Sequence, residues 1–181
     1  MSFKSLVRST LVLGSTSAAT TLVSILRVKA LALLVGPTGL GLLGVLAGLA
    51  GAGTTIAALG SDTSGTRQIA LNRGDPAALA RTRRVLGLVA LVHGTLTAAI
   101  LWLARESLSQ WLLGSVQHKD EVGLAGIAVA LSLVAGLQIA QLQGFGRVGD
   151  IARINIQSSI AGTLVGLAAV WQWGLAGIVV L

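Results

Sequence analysis

The chain has 181 residues, of which 54% are apolar and only 10% charged, and its mean hydropathy is +0.85. Soluble domains carry about 25% charged residues, so this chain has too little charge to cover a water-exposed surface, and a water-soluble globular domain is excluded. The charges cluster between apolar stretches, several of which approach the ~20 residues that an α-helix needs to cross ~30 Å of hydrocarbon. The composition therefore predicts an all-α integral membrane protein.

The net charge of +7 does not indicate a nucleic-acid partner. The basic residues occupy short segments between apolar runs, which is the distribution expected of loops that face the cytoplasm, and few aromatic side chains accompany them. The chain also has no cysteine, which excludes disulfides and thiolate-ligated metals.

The first predicted span covers residues 6–35 and the second covers residues 40–59. Between them, Gly36, Pro37, Thr38 and Gly39 have the composition of a tight turn. In the second span, Gly44 and Gly48 form a small-xxx-small pair, which lets neighbouring membrane helices approach closely. The pattern predicts a packed bundle of helices.

The longest polar stretch, residues 61–84, is predicted to link the second span to the third. Near its end, Asp75 and Pro76 read as a helix N-cap followed by proline at the first helical position. A helix is therefore expected to begin there and to continue into the third span, residues 85–104. A second polar link, residues 105–121, follows.

The fourth and fifth spans are predicted at residues 122–142 and 154–170, and Gly162 and Gly166 repeat the small-residue spacing. A last apolar run, residues 175–181, is too short to cross a bilayer. The sequence thus predicts one bundle, residues 1–181, with five complete transmembrane helices and the start of a sixth.

The basic residues are distributed unevenly between the two predicted sides of the membrane. Nine Lys and Arg residues fall on the side of the N-terminus and two on the other, while Arg27 and Lys29 lie inside the first span. By the positive-inside rule, this bias predicts a multi-pass protein with a cytoplasmic N-terminus.

Arg27 and Lys29 are the most informative residues, because a cation within a membrane helix usually faces a protein interior or a water-filled cavity. Ser17, Thr20, Ser24 and Arg27 follow one stripe of a helix, which predicts a hydrated cavity wall. Lys29 is turned about 200° from Arg27, so the two cannot share one face of a straight helix. The alternative is that both side chains extend towards the outer end of the span.

Other polar residues within the spans allow two interpretations. Asn155 and Gln138 could hydrogen-bond sugar hydroxyls, or they could join neighbouring helices. His93 could respond to protons, although a lone histidine is more often packed and hydrogen-bonded. Asp62 and Arg67 could pair as a gate at the end of the second span, or they could form a solvated loop pair.

The sequence has no phosphate loop ending in Gly-Lys-Ser/Thr, no cluster with metal-ligand spacing and no pairing of a nucleophile with a base. We therefore predict no catalytic residue, no metal site and no cofactor, and we expect that the chain is not an enzyme.

Several stretches resemble Wzx-type O-antigen flippases, which belong to the multidrug/oligosaccharidyl-lipid/polysaccharide exporter superfamily. The similarity lies in LRVKALALLVGPTGLG at 26–41, LG at 59–60, GTRQIA at 65–70, LQG at 142–144, DIARIN at 150–155 and WGLAGI at 173–178. Their order follows the first to the sixth helix of the family.

The resemblance implies a flippase of the bacterial inner membrane that moves undecaprenyl-pyrophosphate-linked oligosaccharide units by alternating access. The family fold has two bundles of six helices around a cationic cavity, so this chain would supply the N-terminal portion of such a protein. Arg27 and Lys29 match basic positions of the first-helix motif and become candidate pyrophosphate contacts. Membrane lipids and polysaccharide polymerase or chain-length proteins are the other expected partners.

Two further readings stay open from the sequence. One is a lipid II-type flippase of the same superfamily, which also needs a basic cavity. The other is a non-transporting membrane subunit of a polysaccharide-assembly complex.

Overall fold

The structure, a computed structural model, describes residues 3–173, and it describes the side chains of residue 14 and of residues 17–172. Within this part of the chain the secondary structure is entirely helical. The six helices are α1 (Phe3–Ala58), α2 (Ser61–Leu71), α3 (Pro76–Leu103), α4 (Arg105–Leu113), α5 (Lys119–Gly144) and α6 (Val148–Trp173). The predicted run at residues 175–181 lies outside the described residues.

Four helices are long and apolar enough to cross a membrane: Ser17–Ala58 of α1, Pro76–Leu103, Lys119–Gly144 and Val148–Gln172. Their mean hydropathies are 2.0, 2.0, 2.1 and 1.3. The last three contain the predicted third, fourth and fifth spans. The coarse prediction of an all-helical protein with several helices long and apolar enough to span a membrane is therefore confirmed for the described residues, whereas the number of five spans stays a prediction.

The first predicted span and residues 40–58 of the second lie in α1, so the four-residue turn predicted between the two spans is not found. Only Gly36 leaves the helical backbone region, at φ 68° and ψ −175°. Pro37 follows this break directly. A proline is tolerated there because the N–H groups in the first turn of a helix have no partner within the helix, so no hydrogen bond is lost. The turn signal in the sequence therefore marks a break of one residue.

The chain forms two compact units. One contains α1 as far as Leu43 together with α6, and the other comprises Gly44–Gly146. In the first unit, the buried apolar side chains include Leu31 and Leu42 of α1 and Ile151 and Val170 of α6.

The second unit is built around α3 and α5, which pack against each other in antiparallel directions. Its core consists of Ala57, Ala58, Ile69, Leu86, Ala90, Leu101, Val129, Leu133 and Leu137. Val129 and Ile69 are completely buried. Core residues thus come from α1, α2, α3 and α5.

Glycine allows α3 and α5 to approach closely. A Cβ atom added to Gly126 would lie 2.9 Å from the Cα of Ala98, and one added to Gly94 would lie 3.2 Å from the Cα of Ala130. The predicted packing role of Gly44 and Gly48 is not found, because no described atom lies within 4 Å of a Cβ added at either position. Small residues do bring membrane helices together here, but at positions that the sequence analysis did not select.

Both predicted polar links contain a short helix, α2 in the first and α4 in the second. In the first link, Gly65 and Ile69 lie one turn apart on α2 and are both buried. Gly65 packs against Leu86 of α3, and Ile69 packs against Gly144 of α5. The second link contains α4, on which Ser109 is buried and hydrogen-bonds the Ser115 carbonyl at 2.6 Å.

The predicted start of α3 is confirmed. The carboxylate of Asp75 accepts hydrogen bonds from the backbone N–H groups of Ala77 and Ala78, at 2.9 and 3.0 Å, and Pro76 is the first helical residue. An N-cap of this kind satisfies N–H groups that have no partner within the helix.

Candidate functional site

A cavity of about 530 Å³ lies along α1 in the first unit. Its described lining residues all belong to this helix: Thr20, Thr21, Ser24, Ile25, Val28, Lys29 and Ala32. They recur every three to four residues, so they follow one broad face of the helix. The volume falls within the ~300–1,000 Å³ of ordinary ligand pockets.

The cavity has an apolar floor and a small number of polar groups. Ile25, Val28 and Ala32 supply the floor, whereas Ser24 and Lys29 supply a hydroxyl and an ammonium group. Both Ser24 and Lys29 are exposed. Lys29 is therefore the cation that this cavity presents to a ligand.

Lys29 and Arg27 point to different sides of α1, as the helical geometry predicted. The cavity lies on the side of Lys29. Thr20 and Lys29 form the two edges of the lining face, and Arg27 lies about 20° beyond the Thr20 edge. Arg27 is half-buried and is not one of the described lining residues. The role of Arg27 as a substrate contact stays a prediction.

Thr20 keeps its predicted place at the cavity, and its hydroxyl donates a hydrogen bond of 3.0 Å to the Ser17 carbonyl. The hydroxyl hydrogen of Thr20 is therefore engaged within its own helix. Thr20, Ser24 and Lys29 are thus the predicted site residues that the structure brings together.

Asn155 and Gln138 do not join them in the described cavity. Asn155 lies on α6 and Gln138 on α5, and both are exposed. Neither side chain makes a hydrogen bond to another described residue. The structure leaves both amides accessible, and their predicted role stays a prediction.

A second feature is a helix break between α1 and α2 in the second unit. Leu59 and Gly60 have φ angles of 46° and 73°, which is the left-handed region and ends α1 at Ala58. Beyond the break, α2 continues in the same direction along α5. Contacts of Gly53 with Val129, of Asp62 with Gly136 and of Ile69 with Gly144 show this order.

His93 contacts the end of α1 at this break. Its Nδ1 lies 3.0 Å from the carbonyl oxygen of Ala57, and because a carbonyl can only accept, Nδ1 carries the hydrogen. The last carbonyls of a helix have no partner within the helix, so His93 satisfies one of them. The interpretation of His93 as a packed, hydrogen-bonded histidine agrees with this contact.

Asp62 is exposed, and its carboxylate lies beside Gly136 of α5. A Cβ atom added to Gly136 would lie 3.3 Å from Oδ1 of Asp62, and Gly136 precedes the end of α5 at Gly144 by eight residues, or about 12 Å of helix. Asp62 therefore faces the body of α5 rather than a loop.

Arg67 lies five residues further along α2 and is exposed. Positions five residues apart point about 140° away from each other on a helix. In the described part of the chain, no ion pair joins Asp62 to Arg67. The structure thus places the two proposed gating residues on different sides of α2.

Two arginines at the far end of α5 have roles that the sequence analysis missed. Arg73 donates hydrogen bonds from Nε, at 2.6 Å, and from a terminal nitrogen to the Gly144 carbonyl. The guanidinium of Arg83 lies 5.5 Å from the ring centroid of Phe145. No local spacing relates these residues, because they lie more than 60 positions apart in the chain.

Charges at the opposite end of α3 and α5 are paired. Two ion pairs lie in this region: Lys119 with Glu106 at 2.7 Å and Arg105 with Asp120 at 3.7 Å. Nδ1 of His118 also lies 3.3 Å from Oε1 of Glu121. The Lys119 ammonium donates a hydrogen bond to the Glu106 carboxylate and attracts its charge, which lowers the pKa of Glu106 below its ordinary value of 4.5. In the described part of the chain, no three His, Asp or Glu side chains lie together as metal ligands would.

Comparison of the chain with protein-family models, with curated proteins and with solved structures finds no match. The architecture of residues 3–173 therefore defines the class: this part of the chain is all-helical and has four helices long and apolar enough to cross a membrane.

Proposed function

We propose that the chain is part of a flippase that moves lipid-linked oligosaccharide units from the cytoplasmic to the periplasmic leaflet of a bacterial inner membrane. In this proposal the carrier lipid is undecaprenyl pyrophosphate, transport occurs by alternating access, and the N-terminus is cytoplasmic. The resemblance of the sequence to Wzx-type flippases supplies the substrate class.

The cavity on α1 is the observation that carries the proposal. A lysine and three hydroxyl-bearing residues, Thr20, Thr21 and Ser24, share a cavity on a helix whose apolar part has a mean hydropathy of 2.0. A cation within an apolar segment is costly unless a counter-charge or water accompanies it. A pyrophosphate group supplies that counter-charge, and the Ser24 hydroxyl can donate to its oxygens.

The size of the cavity fits a headgroup rather than a whole oligosaccharide. About 530 Å³ accommodates a pyrophosphate with its first sugar. We therefore assign the primary phosphate contact to Lys29, with Ser24 as a hydrogen-bond donor. Thr20 can donate to the phosphate only when its hydroxyl leaves the Ser17 carbonyl. Arg27, outside the described lining, is left with a supporting electrostatic role.

The broken path from α1 to α2 also supports a transporter. Helices that are interrupted within the membrane are typical of transporters, where the freed backbone groups lie at binding sites or hinges. Here Leu59 and Gly60 interrupt the path beside His93, and His93 lies about 15 Å from the end of α3 at Leu103.

The experiment is complementation of a flippase-deficient bacterium with the gene that encodes this chain. Lys29→Gln is expected to reduce surface polysaccharide at least tenfold, because the amide keeps the size of the side chain and loses its charge. Lys29→Arg is expected to retain most of the activity. Leu33→Gln, an exposed position on the same helix, serves as the control for a polar substitution in α1.

Immunoblotting of the membrane fraction establishes that each variant is present in equal amount. Wild-type levels of polysaccharide with Lys29→Gln would remove Lys29 from the mechanism. Absence of complementation by the wild-type gene in hosts that use several different repeat units would favour a non-transporting subunit.

A further inference from the structure

The α2–α3 corner carries five arginines within 18 residues: Arg67, Arg73, Arg81, Arg83 and Arg84. Arg73 is held by the Gly144 carbonyl and Arg83 by the Phe145 ring. The nearby carboxylate of Asp75 is occupied as the N-cap of α3. This corner therefore differs from the opposite end of α3 and α5, where acidic and basic side chains form pairs.

Arg81 and Arg84 lie one turn apart on α3, and both are exposed. Among the described residues, neither has an acidic partner. Two guanidinium groups at this spacing can bind one phosphate group together, because each presents a planar array of N–H donors. The pair thus forms a concentrated positive charge at the start of the apolar part of α3.

The same face of α3 continues as an apolar stripe. Val85, Leu88, Leu91, Val92 and Leu96 follow Arg81 and Arg84 at helical spacing and are 53–62% exposed. The opposite face, with Leu86, Ala90 and Gly94, is buried in the core of the second unit.

The length of this stripe matches one leaflet of a membrane. From Val85 to Leu96 the helix rises about 16 Å, and half of the ~30 Å hydrocarbon layer is about 15 Å. The arginine pair would then lie at the depth of lipid phosphates, with the apolar stripe beside the acyl chains. Charge, hydropathy and length along one helix face together match a single phospholipid molecule.

We propose that this face of α3 is a binding site for an acidic phospholipid, with its phosphate on Arg81 and Arg84 and its acyl chains along Val85, Leu88 and Leu91. An anionic headgroup is selected because two cations without acidic partners attract it more strongly than a zwitterionic one. This site is independent of the cavity at Lys29, which lies in the other unit.

Native mass spectrometry of the purified chain, with phosphatidylglycerol or phosphatidylcholine of identical acyl chains, tests the proposal. The wild type is expected to retain phosphatidylglycerol preferentially. Each basic residue near a charged membrane surface contributes about fivefold in affinity, so the variant Arg81→Gln/Arg84→Gln is expected to bind phosphatidylglycerol about 25-fold more weakly. Arg81→Lys/Arg84→Lys keeps the charge and is expected to retain most of this affinity.

The matched control is Arg105→Gln/Lys119→Gln, which removes two positive charges from the opposite end and is expected to leave the lipid preference unchanged. A second measurement keeps both arginines in place: a photoreactive benzoylphenylalanine at Leu91 is expected to cross-link phosphatidylglycerol. The same group at Leu131, an exposed position on α5, is expected to cross-link it in lower yield.

Three results would overturn the proposal. These are equal retention of the two lipids by the wild type, equal cross-linking at Leu91 and Leu131, and displacement of phosphatidylglycerol from the wild type by stoichiometric undecaprenyl pyrophosphate. The last result would assign the arginine pair to the transport substrate instead.

Discussion

Arg73 reaches across from the end of α2 to donate hydrogen bonds to the backbone carbonyl of Gly144, the last residue of α5. The carbonyls at the end of a helix carry partial negative charge and have no partner within the helix. The guanidinium of Arg73 therefore provides a hydrogen-bond partner for a carbonyl at the end of α5, and it holds the α2–α3 corner against α5.

We expect Arg73→Gln to destabilise the protein by about 1 kcal/mol, below the ~1.5–3 kcal/mol of buried charged hydrogen bonds because Arg73 is exposed. Chemical unfolding in mixed detergent micelles measures this loss. Arg67→Gln, a neighbouring exposed arginine without a comparable contact, is expected to have little effect. Equal losses for the two variants would show that general charge, and not the contact with Gly144, stabilises this corner.

Gly126 sets the closest approach of α3 and α5. The added Cβ of Gly126→Ala would lie 2.9 Å from the Cα and 3.1 Å from the oxygen of Ala98, so the two helix backbones must separate. Overpacking of this kind costs about 1–3 kcal/mol, and a lower midpoint of thermal unfolding in detergent is the expected result. Gly87→Ala, where no described atom lies within 4 Å, is expected to be neutral or slightly stabilising.

His93 connects α3 to the end of α1 at the helix break. Replacement by alanine removes the hydrogen bond to the Ala57 carbonyl, and interhelical hydrogen bonds in membrane proteins contribute about 0.6 kcal/mol on average and at most about 1.7 kcal/mol. Amide hydrogen exchange is expected to accelerate around Ala57 and Gly60. His93→Asn retains a donor near the position of Nδ1 and is expected to preserve part of the protection against amide exchange. Unchanged exchange in His93→Ala would show that the histidine does not stabilise the helix end at Ala57.

The pKa of Glu106 is lowered by the hydrogen bond and charge of Lys119. A carboxylate with a lowered pKa stabilises the folded protein above its ordinary pKa of 4.5, and this contribution is lost as the pH falls through the lowered value. We expect the carboxyl carbon of Glu106, followed by NMR, to titrate below that of the Lys119→Gln variant. Coincident titration curves would contradict the influence of Lys119.

The sequence alone determined the class of structure and several helix boundaries. Apolar runs of sufficient length predict membrane-spanning helices because each backbone N–H and C=O must be satisfied within the helix in a lipid environment. The start of α3 was readable from Asp75 and Pro76, since both the capping carboxylate and the proline act on neighbouring residues. Such local effects depend on spacing along the chain.

Only the tertiary structure shows the contacts between residues that lie far apart in the chain. Residues 61–71 have few apolar side chains, and they form a packed helix because α3 and α5 offer Leu86 and Gly144 as contacts for Gly65 and Ile69. The packing glycines likewise could not be chosen from spacing, because Gly44 and Gly48 share the pattern that brings helices together but have no described neighbour.

At the candidate site, helical periodicity alone predicts that Arg27 and Lys29 lie on different faces of α1. Only the tertiary structure shows that the cavity lies on the face of Lys29. Periodicity fixes the angle between two side chains on one helix, because each residue turns by about 100°. The concave face depends on what surrounds that helix, and no pattern within residues 20–32 specifies those surroundings.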